Sequence, residues 1–111
     1  VCTKKRFLHL ILDNLISNAI KYSFDNSILT INVEQSYNLL SLSVENKGPI
    51  ISAEDLNDIF IPFFRNKNHS NREKGYGLGL AIVKKASEAL DLKLSVYSQD
   101  NSTRFSLIFQ T

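Results

Sequence analysis

The sequence contains no tryptophan, no methionine and a single cysteine, Cys2, among its 111 residues. One cysteine cannot form a disulfide within the chain, which favours a reducing compartment. No run of about 18 apolar residues is present, so we expect no membrane-spanning helix. Because methionine is absent even from position 1, we expect the sequence to be part of a longer polypeptide.

An excess of charge of one sign is also lacking. Thirteen basic and eleven acidic residues give a net charge of +2, which is too small to indicate a nucleic-acid partner. Four glycines and two prolines exclude a collagen-like repeat, and 43% hydrophobic with 22% charged residues excludes a disordered chain. We therefore predict one globular domain over residues 1–111.

Apolar residues at helical spacing predict a first helix over residues 4–22 and another from Gly79 to about Leu90. A short helix is predicted over residues 53–60, because Ser52 can cap its first turn. Between the last two helices, residues 65–77 are polar and without periodicity, which is typical of a functional loop.

Apolar and polar residues alternate in four other segments, which predicts four strands with one buried face each. The implied fold class is α/β (α+β), a two-layer sandwich whose mixed, mostly antiparallel sheet is covered on one face by about three helices. The side chains expected under the helices are Leu29, Ile31, Val33, Leu40, Leu42, Val44, Leu94, Val96, Phe105 and Leu107.

Three of the four glycines lie in the segment Gly75-Tyr76-Gly77-Leu78-Gly79-Leu80, which precedes a helix. Glycines let backbone N–H groups approach an anion, and a helix N-terminus leaves donors unpaired, so the segment predicts a phosphate site. The alternative is a flexible loop with a glycine-assisted helix start. No strand runs directly into the segment and no Lys-Ser/Thr pair follows, which excludes a dinucleotide fingerprint and a P-loop.

Asn14, Asn18 and Lys21 share one face of the first helix, since they are spaced i, i+4, i+7. An amide oxygen can ligate Mg²⁺ beside phosphate oxygens, and a lysine can pair with a phosphate. The alternative interpretation of this face is a solvated helix surface.

Asn46-Lys47-Gly48 follows the second predicted strand, and its amide suits the edge of a heteroaromatic ring, although Asn-x-Gly is also a common turn. The segment Phe60-Ile61-Pro62-Phe63-Phe64-Arg65 places three rings around a proline. It predicts a hydrophobic anchor for the polar loop. Arg65 at its end is either a phosphate contact or a surface charge.

These four segments resemble, in order, the N box, the first glycine box, the F box and the second glycine box of bacterial sensor histidine kinases. The resemblance extends from about Arg6 to Phe109. It implies the Bergerat-type ATP-binding sandwich, with ATP and Mg²⁺ as cofactors.

The resemblance also implies residue roles. Asn18 would ligate Mg²⁺, while Asn14, Lys21 and Arg65 would act with it in catalysis. Asn46 would contact the adenine amino group, and residues 66–74 would form a lid over ATP. The remaining nucleotide contacts implied are Gly48, Phe63, Gly75, Gly77, Leu78, Gly79 and Leu80.

The sequence departs from the family pattern at three places. The adenine-contacting position is usually Asp and here is Asn46; the second glycine of the first box is missing near Ile50. The glycine usual near the last strand is absent from residues 101–105.

The implied reaction is transfer of the γ-phosphoryl group of ATP to a histidine on a separate dimerisation and phosphoacceptor domain, with a response regulator downstream. The acceptor histidine of the family is typically followed by an acidic residue, whereas His9 and His69 precede Leu10 and Ser70. We expect a cytoplasmic domain of a parent anchored in the inner membrane, without direct membrane insertion or a nucleic-acid partner. The alternatives are a non-catalytic nucleotide- or partner-binding module and an anti-sigma-type serine kinase.

Overall fold

The computed structural model describes residues 2–61 and 79–110. The elements in chain order are α1 Cys2–Tyr22, β1 Leu29–Ser36, β2 Leu39–Lys47, α2 Ala53–Leu56, α3 Gly79–Ala89, β3 Lys93–Gln99 and β4 Ser102–Gln110. Among these residues, no helix is long and apolar enough to cross a membrane.

The four strands form one sheet in the order β1-β2-β4-β3, and every neighbouring pair is antiparallel. Both hairpins turn at residues with positive φ, which Asp and Asn adopt more readily than Tyr. Tyr37 has φ 52° between β1 and β2, and Asp100 and Asn101 have φ 56° and 59° between β3 and β4. Two consecutive positive φ values match a type I′ turn, whose twist suits the flanking strands. The predicted α/β sandwich with a mostly antiparallel sheet is confirmed.

The hydrophobic core lies between the sheet and the two long helices, α1 and α3, which pack against each other. Leu15 of α1 is 1% exposed and Val83 of α3 is fully buried. Strand alternation places Val44, Phe105 and Leu107 on the sheet face that meets them, and all three are buried. Five further side chains of the predicted set are half-buried: Leu29, Leu40, Leu42, Leu94 and Val96.

The prediction that Ile31 and Val33 are buried is wrong, because they are 50% and 60% exposed. Their pairing with Val44 and Leu42 shows that they do face the side of the sheet that carries the helices. However, β1 is an edge strand, and α1 packs on β2 while α3 packs on β3. The helix layer in the described residues therefore leaves this part of β1 uncovered.

The short helix α2 ends at Leu56, four residues earlier than predicted. Ser52 caps it as expected, since its Oγ accepts a hydrogen bond from the Asp55 N–H at 3.1 Å. After Leu56 the backbone hydrogen bonds join residues three apart in sequence, as in a 3₁₀ turn, and not four apart as in an α-helix. The Asp58 N–H donates to the Asp55 carbonyl, and the Ile61 N–H donates to the Asp58 carbonyl. The chain thus continues in tight turns, which still bury Ile59 at 3% exposure.

Candidate nucleotide-binding site

The end of α1 lies directly against the end of β2. The Phe24 N–H donates to the Lys47 carbonyl at 2.8 Å, and the Gly48 N–H donates to the Asn101 carbonyl at 2.9 Å. A Cβ atom at Gly48 would lie only 2.2 Å from the Tyr22 carbonyl oxygen, so only glycine fits there without a backbone shift. The structure therefore brings together the N-box and first-glycine-box segments.

The middle of α1 lies against the first residue of α3. A Cβ atom at Gly79 would lie 3.2 Å from Asn14 Oδ1. Asn14 Nδ2 donates to the Leu10 carbonyl at 2.8 Å, which offsets the cost of an asparagine within a helix. The side chain of Leu80 is 2% exposed in the core, so a nucleotide contact at Leu80 is limited to its backbone.

Asn18 lies one helical turn after Asn14 and is half-buried, whereas Lys21 is exposed. The Asn18 side chain forms no hydrogen bond with another residue of the described ranges. Within residues 2–61 and 79–110, no group of three or more His, Cys, Asp or Glu side chains is placed to hold a metal ion. A cation here would therefore be held mainly by ligand phosphates and an amide oxygen. That donor set fits Mg²⁺, which usually binds through substrate phosphates.

A row of polar side chains crosses the helix-facing side of the sheet at its end. Asn46 of β2 pairs with Thr103 of β4, which pairs with Ser98 of β3. Asn46 and Thr103 are each 5% exposed. The Ser98 and Thr103 hydroxyls are 2.7 Å apart, and Ser98 Oγ accepts a hydrogen bond from the Ile51 N–H at 2.8 Å. The apolar face of the sheet thus becomes polar where β2 meets the first-glycine-box segment.

Asn46 differs from the two hydroxyl residues of this row in its hydrogen bonds. Its side-chain amide forms none with the residues that the structure describes. Asn46 therefore offers a side-chain donor and acceptor that no described residue uses.

Sequence reasoning singled out Asn46 but missed Thr103 and Ser98. The signal was present: Thr103 continues the inward positions of Phe105 and Leu107, and Ser98 continues those of Leu94 and Val96. Polar residues at the inward positions of two paired strands mark the place where the buried face stops being apolar.

A second group of polar side chains lies on the other face of the sheet at the same end. Ser102 is 7% exposed, and its hydroxyl donates to the Glu45 carboxylate. Lys47 Nζ lies 3.5 Å from Ser102 Oγ and 3.9 Å from the Glu45 carboxylate. These residues alternate with Asn46 and Thr103, so they point away from the polar row.

Several predicted site residues lie outside the described residues: Phe63, Arg65, Gly75, Gly77 and Leu78, together with the lid segment 66–74 and His69. The first residue of the F-box segment, Phe60, is described. Its ring meets Phe105 edge to face, with centroids 6.3 Å apart. The start of this segment thus packs on the core, as the predicted anchor requires.

Residues 3–111 match the family described as histidine kinase-, DNA gyrase B- and HSP90-like ATPase. The chain is 35% identical to the probable sensor kinase SilS of Salmonella typhimurium over 86% of its length, covering 20% of that protein. It is also 35% identical to the heme sensor protein HssS of Staphylococcus saprophyticus, over 96% of its length and 23% of that protein. The chain therefore spans about a fifth of the length of these curated relatives.

Solved structures agree with this assignment. The mycobacterial sensor histidine kinase MprB superposes with a TM-score of 0.84 at 26% identity, over 95% of this chain and 72% of that one. The nucleotide-free catalytic domain of histidine kinase ThkA superposes with a TM-score of 0.80 at 30% identity, over 95% of this chain and 66% of that one. The chain belongs to the family of histidine kinase-, DNA gyrase B- and HSP90-like ATPases, and its fold is that of a histidine kinase catalytic domain.

Proposed function

We propose that the chain binds Mg·ATP and donates the γ-phosphoryl group to a histidine on a separate dimerisation and phosphoacceptor domain of a sensor kinase. The observation that supports this proposal most strongly is that segments from three separate sequence motifs lie along one helix, α1. Tyr22 adjoins Gly48, and Asn14 adjoins Gly79, so α1 connects the first glycine box with the start of α3. The similarity to SilS and HssS supports the same conclusion.

The purine ring is assigned to the end of β2. Asn46, which is 5% exposed, supplies a side-chain amide at that position, and Gly48 lets the end of α1 pack directly beside it. An amide both donates and accepts, so it can pair with the hydrogen-bonding edge of a purine.

The phosphates are assigned to the start of α3. Its first residue, Gly79, has helix N-terminal N–H groups beside it, which attract anions. Asn14, Asn18 and Lys21 provide amides and a cation on the adjacent face of α1. Bound Mg²⁺ would neutralise charge on the phosphates, with Asn18 as the residue that contacts it. We assign Gly75, Gly77 and Leu78 to the same phosphate site, and Phe63 and Arg65 to the segment beside it.

The acceptor histidine is assigned to another domain of the parent protein. His9 is exposed on α1, and Leu10 rather than an acidic residue follows it. Phosphoryl transfer requires a nucleophile placed in line with the leaving oxygen, which the proposed acceptor domain would provide. The product would then pass to a response regulator. We further propose that this domain lies in the cytoplasm, where ATP is available, and that its parent is anchored in the membrane.

Incubation with ATP labelled at the γ-phosphate tests this assignment. The chain alone should bind Mg·ATP, hydrolyse it slowly at most and leave His9 and His69 unlabelled. Addition of the phosphoacceptor domain of the same parent should produce a base-stable, acid-labile phosphohistidine on that domain. Label on the isolated chain would contradict the division of roles. Binding without transfer would favour the alternative, a non-catalytic nucleotide-binding module.

A further inference from the structure

The side-chain amide of Asn46 lies in a neutral environment. Along the polar row its neighbours are the apolar Leu29 on one side and Thr103 on the other. The adjacent charged residues of β2, Glu45 and Lys47, point to the opposite face of the sheet. Purine recognition at this position therefore depends on a neutral amide rather than on a carboxylate.

The orientation of this amide is not determined by the residues around it. Its side chain forms no hydrogen bond with the described residues, and Thr103 already shares a hydrogen bond with Ser98. Asn46 Nδ2 would be 3.2 Å from a Cβ atom at Gly48, so the absence of a side chain at Gly48 spares the amide a tight contact. Rotation about the last side-chain bond, which exchanges Oδ1 and Nδ2, is soft for asparagine.

We propose that the site accepts 6-oxopurine nucleotides as well as 6-aminopurine nucleotides, because the amide of Asn46 can pair with either ring edge. This inference rests on the proposed function, since it assumes that the purine lies at Asn46. Adenine presents an amino donor at C6 and an acceptor at N1, whereas hypoxanthine presents a carbonyl acceptor at C6 and an N–H donor at N1. With Oδ1 facing C6 and Nδ2 facing N1, the amide pairs with adenine. With the two atoms exchanged by rotation, it pairs with hypoxanthine.

Calorimetric titration with ADP and with inosine diphosphate tests the proposal. The two nucleotides differ only in their 6-substituent and N1 proton, so their phosphate and ribose contacts cancel in the comparison. We expect dissociation constants within about fivefold of each other, because each ring makes the same number of neutral hydrogen bonds. Asn46→Ala should weaken both nucleotides by a similar factor of about 3–10. Asn32→Ala is the matched control, because Asn32 is an exposed residue of β1 that pairs with Ser43 on the opposite face of the sheet. It should change the affinity for neither nucleotide.

The outcomes separate this proposal from the one on which it rests. Binding of ADP with inosine diphosphate at least about 30-fold weaker would overturn the proposal and leave the assigned function intact. If Asn46→Ala weakened the binding of ADP but not of inosine diphosphate, the proposal would be overturned as well. Failure of the wild-type chain to bind either nucleotide would overturn the function itself. If Asn46→Ala does not fold, the ratio of the ADP and inosine diphosphate dissociation constants of the wild-type chain is sufficient to test the proposal.

Discussion

Gly48 and Gly79 are both in glycine boxes, but the structure gives them different physical constraints. At Gly48 the obstacle to a side chain is the backbone carbonyl of Tyr22, 2.2 Å from where a Cβ would be. At Gly79 the obstacle is the side chain of Asn14 at 3.2 Å, which can rotate away. A side chain at Gly48 must therefore move the end of α1 relative to β2.

Gly48→Ala should accordingly lower the free energy of unfolding by about 1–3 kcal/mol, the usual range for overpacking. Gly79→Ala is the matched comparison and should change it by less than about 1 kcal/mol, since alanine also favours the helix. Urea unfolding followed by circular dichroism measures both. Equal stability of Gly48→Ala and the wild type would show that the close approach of Tyr22 is not a real constraint.

Asn18→Ala should remove most of the dependence of nucleotide binding on Mg²⁺ while the fold is retained. The reason is that the half-buried amide has no hydrogen-bond partner among the described residues, so truncation removes a candidate ligand and leaves the core in place. Titration of an ATP analogue with and without a chelator measures the dependence. Asn38→Ala, in the exposed turn between β1 and β2, provides the control. A wild-type chain indifferent to Mg²⁺ would argue against Asn18 as the metal contact.

At the scale of elements, the two long helices and the four strands follow from hydrophobic periodicity alone. The helical spacing of Ile11, Leu15 and Ala19 corresponds to the buried side of α1. The alternation in β1 was equally clear, yet Ile31 and Val33 are exposed, because alternation shows which face is apolar but not whether anything covers it. The end of α2 is not predictable from the sequence, because tight turns with hydrogen bonds between residues three apart follow Leu56 directly and resemble a helix in their sequence pattern.

Truncation of Ile31 should therefore cost much less stability than truncation of a covered residue on the same sheet face. Leu107 is fully buried in β4, so Leu107→Ala should cost about 2–5 kcal/mol. Ile31→Ala should cost about 1 kcal/mol or less, because the side chain already keeps half of its surface in water. Thermal or urea unfolding of the two variants gives the comparison. Equal losses would mean that β1 is covered in solution.

At the scale of the whole molecule, the site is a junction of segments far apart in sequence. The order of the four motifs predicted the family, and the family predicted that Asn14, Asn46 and Gly79 surround one ligand. Sequence alone could not place Thr103 and Ser98 beside Asn46, because that requires the pairing of β2 with β4 and of β4 with β3. The strand order β1-β2-β4-β3 depends on the crossover through α3, and no local pattern encodes it.

We propose that a nucleotide binds along α1, between the end of β2 and the start of α3. Titration of the isotope-labelled chain with an ATP analogue and Mg²⁺, followed by two-dimensional amide NMR, tests it directly. We expect saturable shifts at Asn18, Gly48 and Gly79 and at the side-chain NH₂ group of Asn46, with Ile31 and Val33 unaffected. Absence of saturable shifts, or shifts concentrated along β1, would contradict it.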